Sequence, residues 1–137
     1  MIQLIVGHKG SGKTKKLVDM VNHAADHSNG NVVCVEKDMK LTYDLSHHVR
    51  LIESEAYAIS GFDAFYGFLT GILAGNYDIT DMFIDGTFKI GGRDYDAFGC
   101  LVKKLDKLTQ NGGANITFTV SCDVEELPED VRGYIIG

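Results

Sequence analysis

The chain has 137 residues and a formal net charge of −6, with 45% hydrophobic residues, 23% charged residues, 16 glycines and one proline. This balance is typical of a globular domain, and without a G-X-Y period or an excess of Pro and Ser both collagen and low-complexity disorder are excluded. The acidic charge provides no global positive field for a nucleic-acid backbone or an anionic membrane. We therefore expect one domain over residues 1–137, in which any phosphate binding is local.

Apolar runs of strand length alternate with helical patterns along the whole chain. The predicted elements are a strand at 2–6, a helix at 13–27, strands at 32–35 and 49–52, a helix at 62–74, a strand at 82–84, a helix from Asp94 to Leu108, a strand at 116–120 and a short acidic helix around Pro128. Short strands separated by helices predict an α/β fold. We expect a three-layer sandwich with a mostly parallel five-stranded sheet, whose ligands bind at the carboxyl ends of the strands.

The cysteines and the hydropathy favour a cytoplasmic protein. Cys34, Cys100 and Cys122 are widely separated and form no C-x-x-C pair, so neither a disulfide framework nor a zinc ribbon is indicated. The longest apolar stretch, residues 56–74, is interrupted by polar side chains and is a poor membrane span. The first residues lack the basic start and the cleavage site of a signal peptide.

The most specific motif follows the first predicted strand. It matches the pattern G-x-x-x-x-G-K-[ST] without a departure and reads Gly7-His8-Lys9-Gly10-Ser11-Gly12-Lys13-Thr14. A loop between a strand and a helix directs backbone N–H groups and the positive helix end at an anion. Lys13 would bridge β- and γ-phosphate oxygens, and the Thr14 hydroxyl would ligate Mg²⁺. A glycine-rich turn with a solvated lysine is the alternative.

A magnesium ion held by one hydroxyl and by phosphates also needs a carboxylate nearby. Asp85 directly follows the apolar run Met82-Phe83-Ile84, and an acid at the end of a buried strand can provide that carboxylate. The alternative is an aspartate that only opens the Asp85-Gly86 turn.

Together these two motifs resemble the P-loop NTPase superfamily, specifically at residues 7–14 and 82–85 and elsewhere in element order. Guanine-specific members carry an Asn-Lys-x-Asp motif that this chain lacks, so the resemblance favours ATP. Many ATP-using members place a catalytic glutamate after the strand-end aspartate, but here that position is Gly86. The chain is most similar to the RecA-like (ASCE) division and to short bacterial P-loop ATP-binding proteins.

The RecA-like resemblance implies a different position for the activating base. It places that glutamate at the end of the strand after the P-loop helix, where this chain has Glu36, 23 residues after Lys13. A carboxylate there could polarise water opposite the γ-phosphate. An acid that only caps the strand end is the alternative. The resemblance also implies that a neighbouring subunit can complete such a site, which makes a homo-oligomer one expected assembly.

Weaker signals have two interpretations each. Gly67, Gly71 and Gly75 recur every four residues, either for close packing on the sheet or as a self-association face. Arg93 could approach the γ-phosphate, in its own chain or across a subunit boundary, or be a solvated first-turn residue. Ser121 could contact the γ-phosphate or be an ordinary strand-end hydroxyl.

The leading functional hypothesis is therefore a Mg·ATP-binding protein that hydrolyses ATP or transfers its γ-phosphate. The loop residues 7–14 would bind the nucleotide, Thr14 and Asp85 would hold Mg²⁺, and Lys13 and Glu36 would be the catalytic pair. A nucleotide-responsive regulatory or adaptor module without turnover is the second hypothesis, and a small-metabolite kinase is the third. The sequence indicates neither a nucleic-acid partner nor a membrane span.

Overall fold

Five strands form one sheet in the computed structural model, which describes residues 1–137. They are β1 (Ile2–Gly7), β2 (Asn31–Glu36), β3 (Val49–Glu53), β4 (Ile79–Ile84) and β5 (Asn115–Ser121). Their spatial order is β1-β5-β4-β2-β3, and every neighbouring pair is parallel. The α/β class and the five strands are confirmed, and the sheet is wholly rather than mostly parallel.

Four α-helices connect the strands. They are α1 (Lys13–His27), α2 (Phe62–Gly75), α3 (Thr87–Gly91) and α4 (Tyr95–Thr109), with 3₁₀ segments at Glu55–Tyr57, Val124–Glu126 and Glu129–Tyr134. The predicted start of α4 is confirmed, because Asp94 accepts a hydrogen bond from the Ala97 amide at 3.0 Å.

The helices lie on both faces of the sheet. On one face α1 buries Leu17 and Val21 in a small cluster with strand residues such as Cys34. On the other face α2 and α4 contribute Phe65 and Phe98 to a core of 23 buried residues. Burial on both faces explains the continuous apolar runs at 32–35 in β2 and at 82–84 in β4.

The helix that connects β1 to β2, α1, lies on one face of the sheet. The helices of the return path through β4 and β5, α2 and α4, lie on the opposite face. This reversal creates a crevice beyond the carboxyl ends of β1, β5 and β4. In open parallel sheets such a crevice is the usual ligand site.

Three local expectations are corrected. The short helix α3 follows Gly86 where no element was predicted, and β4 begins at Ile79 and not at Met82. The acidic segment around Pro128 forms two 3₁₀ turns. Residues 135–137 run along the free edge of β1, where the Ile136 amide donates to the Leu4 carbonyl at 2.9 Å.

The glycine stripe of α2 does not pack on the sheet. A Cβ placed on Gly67, Gly71 or Gly75 would meet no atom within 4 Å, so the stripe faces away from the rest of the chain. Close packing against the chain's own backbone is therefore the wrong interpretation of this spacing. No helix of the chain combines the length and the apolar character that crossing a membrane requires.

Candidate functional site

Two glycines give the loop after β1 an unusual backbone conformation. Gly10 and Gly12 have φ of 83° and 89°, in the left-handed region that other residues rarely adopt. Gly7 has no such φ, but a Cβ there would lie 2.5 Å from Ser11 Oγ, so a larger residue would force that side chain to move. No side chain caps the first turn of α1, which begins at the end of this loop.

Lys13 lies across its own loop. Its Nζ donates to the carbonyl oxygen of His8 at 2.8 Å, which holds the ammonium over the loop backbone. Burial lowers the pKa of Lys13, and the carboxylate of Asp85 opposes that effect. The charge of Lys89 also lowers it, which places a second lysine near the first.

Thr14 and Asp85 meet at the mouth of the loop, although they are 71 residues apart in the chain. Thr14 Oγ1 lies 3.3 Å from both carboxylate oxygens of Asp85. Thr119 of β5 fixes that carboxylate by donating from Oγ1 to Oδ1 at 2.7 Å. Thr119 Oγ1 also accepts from the Gly86 amide at 2.8 Å, so the turn after β4 is tied to the neighbouring strand.

These groups line a cleft of about 330 Å³ at the carboxyl ends of β1, β4 and β5, which we call the carboxyl-end cleft. Its lining is polar, and Phe88 is its one hydrophobic residue. Four cationic side chains and one carboxylate line it, namely Lys9, Lys13, Lys89, Arg93 and Asp85. In a chain with a net charge of −6, this local positive excess favours an anionic ligand.

Arg93 is held in place at the wall of the cleft. Its Nη1 donates to the Ser121 carbonyl at 3.1 Å and to the Tyr95 hydroxyl at 3.3 Å, and its guanidinium lies 5.6 Å from the centre of the Phe88 ring. The Tyr95 hydroxyl in turn donates to Glu126 at 2.9 Å. Ser121 also lines the cleft, so two of the weaker sequence signals, Arg93 and Ser121, fall at this site.

His8 connects the loop to the segment after β5. Its Nε2 lies 2.6 Å from Asp123 Oδ1, and the Asp123 amide donates to Glu126 Oε1 at 2.9 Å. This contact anchors the exposed side of the loop. The remaining predicted loop residues, Lys9, Ser11 and Gly12, are exposed.

Glu36 lies near the cleft but not in its lining. Only 4% of the residue is exposed, and Oε2 accepts a hydrogen bond from the Leu41 amide at 2.9 Å. Burial raises the pKa of Glu36, partly offset by backbone hydrogen bonds from Leu41 and Lys40, and the neighbouring charge of Asp85 raises it further. In this conformation the carboxylate organises the loop after β2.

Sequence reasoning missed Thr119 and Lys89. Thr119 is a buried polar residue of β5, and it lies beside the end of β4 only because these two strands pair, which no sequence pattern indicates. Lys89 belongs to the unpredicted helix α3, and no pattern in the sequence marks it.

The donor set at Thr14 and Asp85 consists of hard oxygen atoms, which suits Mg²⁺. No group of three or more His, Cys, Asp or Glu side chains in the chain could hold a metal ion. A magnesium ion here would therefore take most of its ligands from phosphate oxygens and water. No protein-family model matches the chain, and no curated protein matches it.

Proposed function

We propose that the chain is a P-loop protein of the RecA-like division that binds Mg·ATP in the carboxyl-end cleft. Loop residues 7–14 would surround the phosphates, with Lys13 bridging the β- and γ-phosphates. Thr14 and Asp85 would hold Mg²⁺, which neutralises phosphate charge when it is bound. The observation that carries the proposal is the contact of Thr14 with Asp85, because two separately predicted metal ligands meet at the mouth of the loop.

The charge of the cleft supports the same ligand. The cationic side chains around the cleft repel one another, and an anion bound between them relieves that repulsion, so a triphosphate with several negative charges suits the site. Left-handed glycines at the start of an uncapped helix leave backbone N–H groups for phosphate oxygens.

Turnover would follow the chemistry of phosphoryl transfer. An acceptor oxygen, from water or from another substrate, would bond to the γ-phosphorus while the bond to the β,γ-bridging oxygen breaks, releasing ADP. Lys13 would stabilise the charge on the phosphate oxygens, and Glu36 would take the proton of the acceptor. For that role the Glu36 side chain would first have to turn towards the cleft, because it is buried and does not line it.

The position of Glu36 favours a second candidate, a nucleotide-responsive module that binds ATP with little or no turnover. The carboxylate is bonded to the backbone of its own loop and lies outside the cleft lining, and Gly86 offers no alternative acid. Phosphate release above background that Glu36→Gln abolishes would reject this candidate in favour of catalysis.

Calorimetric titration tests the proposal. The parent chain is expected to bind Mg·ATP, and Lys13→Ala is expected to lose most of that affinity because the charge on the β- and γ-phosphates is no longer neutralised. Lys15→Ala is the matched control, since Lys15 is exposed in the same helical turn and does not line the cleft. No binding by the parent chain would overturn the proposal.

A further inference from the structure

Thr119 is a polar residue in the buried part of the sheet. It lies on β5, only 2% of it is exposed, and its neighbours along the strand, Phe118 and Val120, are buried and apolar. A hydroxyl at such a place costs free energy unless it is hydrogen-bonded. Thr119 makes two hydrogen bonds, and both join it to the end of β4, at the Asp85 carboxylate and the Gly86 amide.

The two hydrogen bonds fix the direction of the Thr119 hydroxyl proton. The Gly86 amide can only donate, so it occupies a lone pair of Thr119 Oγ1, at 2.8 Å. The single proton of the hydroxyl is therefore donated to Asp85 Oδ1, at the short distance of 2.7 Å that is typical of a charge-assisted bond. Thr14 contacts the same carboxylate at the longer distance of 3.3 Å. Thr119 is therefore the stronger of the two contacts that orient Asp85.

These contacts distinguish the two oxygens of Asp85. Oδ1 accepts the short hydrogen bond from Thr119, whereas Oδ2 is contacted by Thr14 alone. Oδ2 is then the oxygen left for a magnesium ion or for one of its water ligands. A carboxylate that is already held through Oδ1 has less orientational freedom to lose when a cation binds, which is how groups behind a metal ligand raise metal affinity.

We infer that Thr119 is a positioning residue for the metal, which holds Asp85 by Oδ1, leaves Oδ2 for the cation and so sets the Mg²⁺-dependent part of nucleotide affinity. This inference rests on the proposed function and deepens it. Thr119 lines the cleft, but its one proton is used by Asp85, so it has none to donate to a phosphate oxygen. Its effect on the nucleotide therefore passes through Asp85 and the metal.

Calorimetric titration of Thr119→Val with Mg·ATP, and with ATP in the presence of a chelator, tests the inference. Valine keeps the shape of the side chain and removes the hydroxyl. The Kd for Mg·ATP is expected to rise about tenfold, as for the loss of a group that orients a metal ligand, while the Kd for metal-free ATP changes by less than about threefold. A purely structural role would weaken both by the same factor. Thr119→Ser keeps the hydroxyl and is expected to restore the parent values.

Thr117→Val is the matched control on the same strand. Thr117 is also 2% exposed and lies on the same face of β5, but its hydroxyl donates to Gln3 Oε1 at 3.2 Å and not to Asp85. This variant is expected to keep the parent affinity with and without Mg²⁺, and denaturant unfolding shows how far each valine variant is destabilised. If Thr119→Val does not fold, Thr119→Cys, whose thiol is a weak donor, is expected to change affinity in the same direction.

The outcomes separate the inference from the proposed function. A parent chain that does not bind Mg·ATP overturns both. A parent chain that binds it, and that loses affinity in Asp85→Asn but not in Thr119→Val, overturns the inference alone. Equal losses with and without Mg²⁺ in Thr119→Val, or no recovery in Thr119→Ser, would also overturn the inference and leave the proposed function standing.

Discussion

Two cavities at opposite ends of the sheet differ in chemistry more than in size. The carboxyl-end cleft of about 330 Å³ is polar and carries five charged side chains. A larger cavity of about 570 Å³ lies at the amino ends of β4 and β5, between the last turns of α2 and α4, and none of its lining residues is charged. We call it the amino-end groove, and its lining includes Leu73, Ile79, Leu108 and Gly112.

The difference shows why volume alone is a poor guide to a site in this fold. Parallel strands bring the starts of the connecting helices to one end of the sheet and the ends of those helices to the other. Backbone N–H groups and lysines therefore gather at the carboxyl end, where they are suited to bind an anion, and Asp85 lies beside them. The amino-end groove has more room and no comparable set of ionic groups.

Two Asp→Asn substitutions, one at each end of β4, are expected to give the largest difference in affinity between the two ends of the sheet. Asp85→Asn is expected to weaken Mg·ATP binding by about 10- to 100-fold and to remove most of its dependence on Mg²⁺, because the metal loses its carboxylate. Asp78→Asn, an exposed position just before β4, keeps the parent affinity. Calorimetry with and without a chelator measures both. Equal affinities for the two variants would contradict the assignment of Asp85.

Two glycines with the same backbone conformation allow a sharper comparison. Gly12 in the loop has φ of 89° and Gly112 in the amino-end groove has φ of 81°, and neither has an atom within 4 Å of an added Cβ. Alanine at either position should cost about 1–2 kcal/mol of unfolding free energy through backbone strain alone.

Only Gly12→Ala is expected to weaken Mg·ATP binding as well, by roughly tenfold, because the loop amides lose their alignment on the phosphate. Denaturant unfolding measures the first effect and calorimetry the second. A loss of affinity in Gly112→Ala of the same size would mean that affinity follows global stability and not the geometry of the loop.

Both sides of the proposed metal site could be identified from the sequence, because each is a contiguous pattern next to a strong apolar run. Residues 7–14 and Asp85 could be identified without knowing which strands are neighbours. Thr119 could not, since its role depends on β5 lying beside β4. Helix α3 has only five residues between Gly86 and Gly92, too few for helical periodicity, so Lys89 was missed with it.

Glu36 illustrates the limit of a spacing argument. Its place at the end of β2 was predicted correctly. The hydrogen bond that its carboxylate accepts could not be predicted, because the donor is the Leu41 amide in a loop with no regular pattern. The residue is therefore a structural acceptor in this conformation, and its role as a base stays a prediction.

The smallest expected effect concerns the pH dependence of stability. Because burial raises the pKa of Glu36 above its unfolded value, the folded state binds this proton more tightly, and the unfolding free energy falls as the pH rises through the folded pKa. Glu36→Gln keeps an oxygen that can accept from the Leu41 amide, and it cannot ionise. The part of the fall in unfolding free energy that Glu36 causes should therefore disappear in this variant.

Denaturant unfolding between pH 4 and pH 8 measures that difference. Glu125→Gln is a suitable control because Glu125 is exposed. The plot of its unfolding free energy against pH should run parallel to that of the parent chain. A Glu36→Gln profile that is also parallel to the parent would show that the burial of this carboxyl has no influence on stability.

The central claim is that a triphosphate and a magnesium ion bind between the loop and Asp85. A crystal structure with Mg²⁺ and a non-hydrolysable ATP analogue tests it most directly. The predicted result is a metal about 2.0–2.1 Å from Thr14 Oγ1, with Asp85 bound to it directly or through one water molecule. A nucleotide in the amino-end groove, or phosphates in the cleft with no metal between Thr14 and Asp85, would contradict the claim.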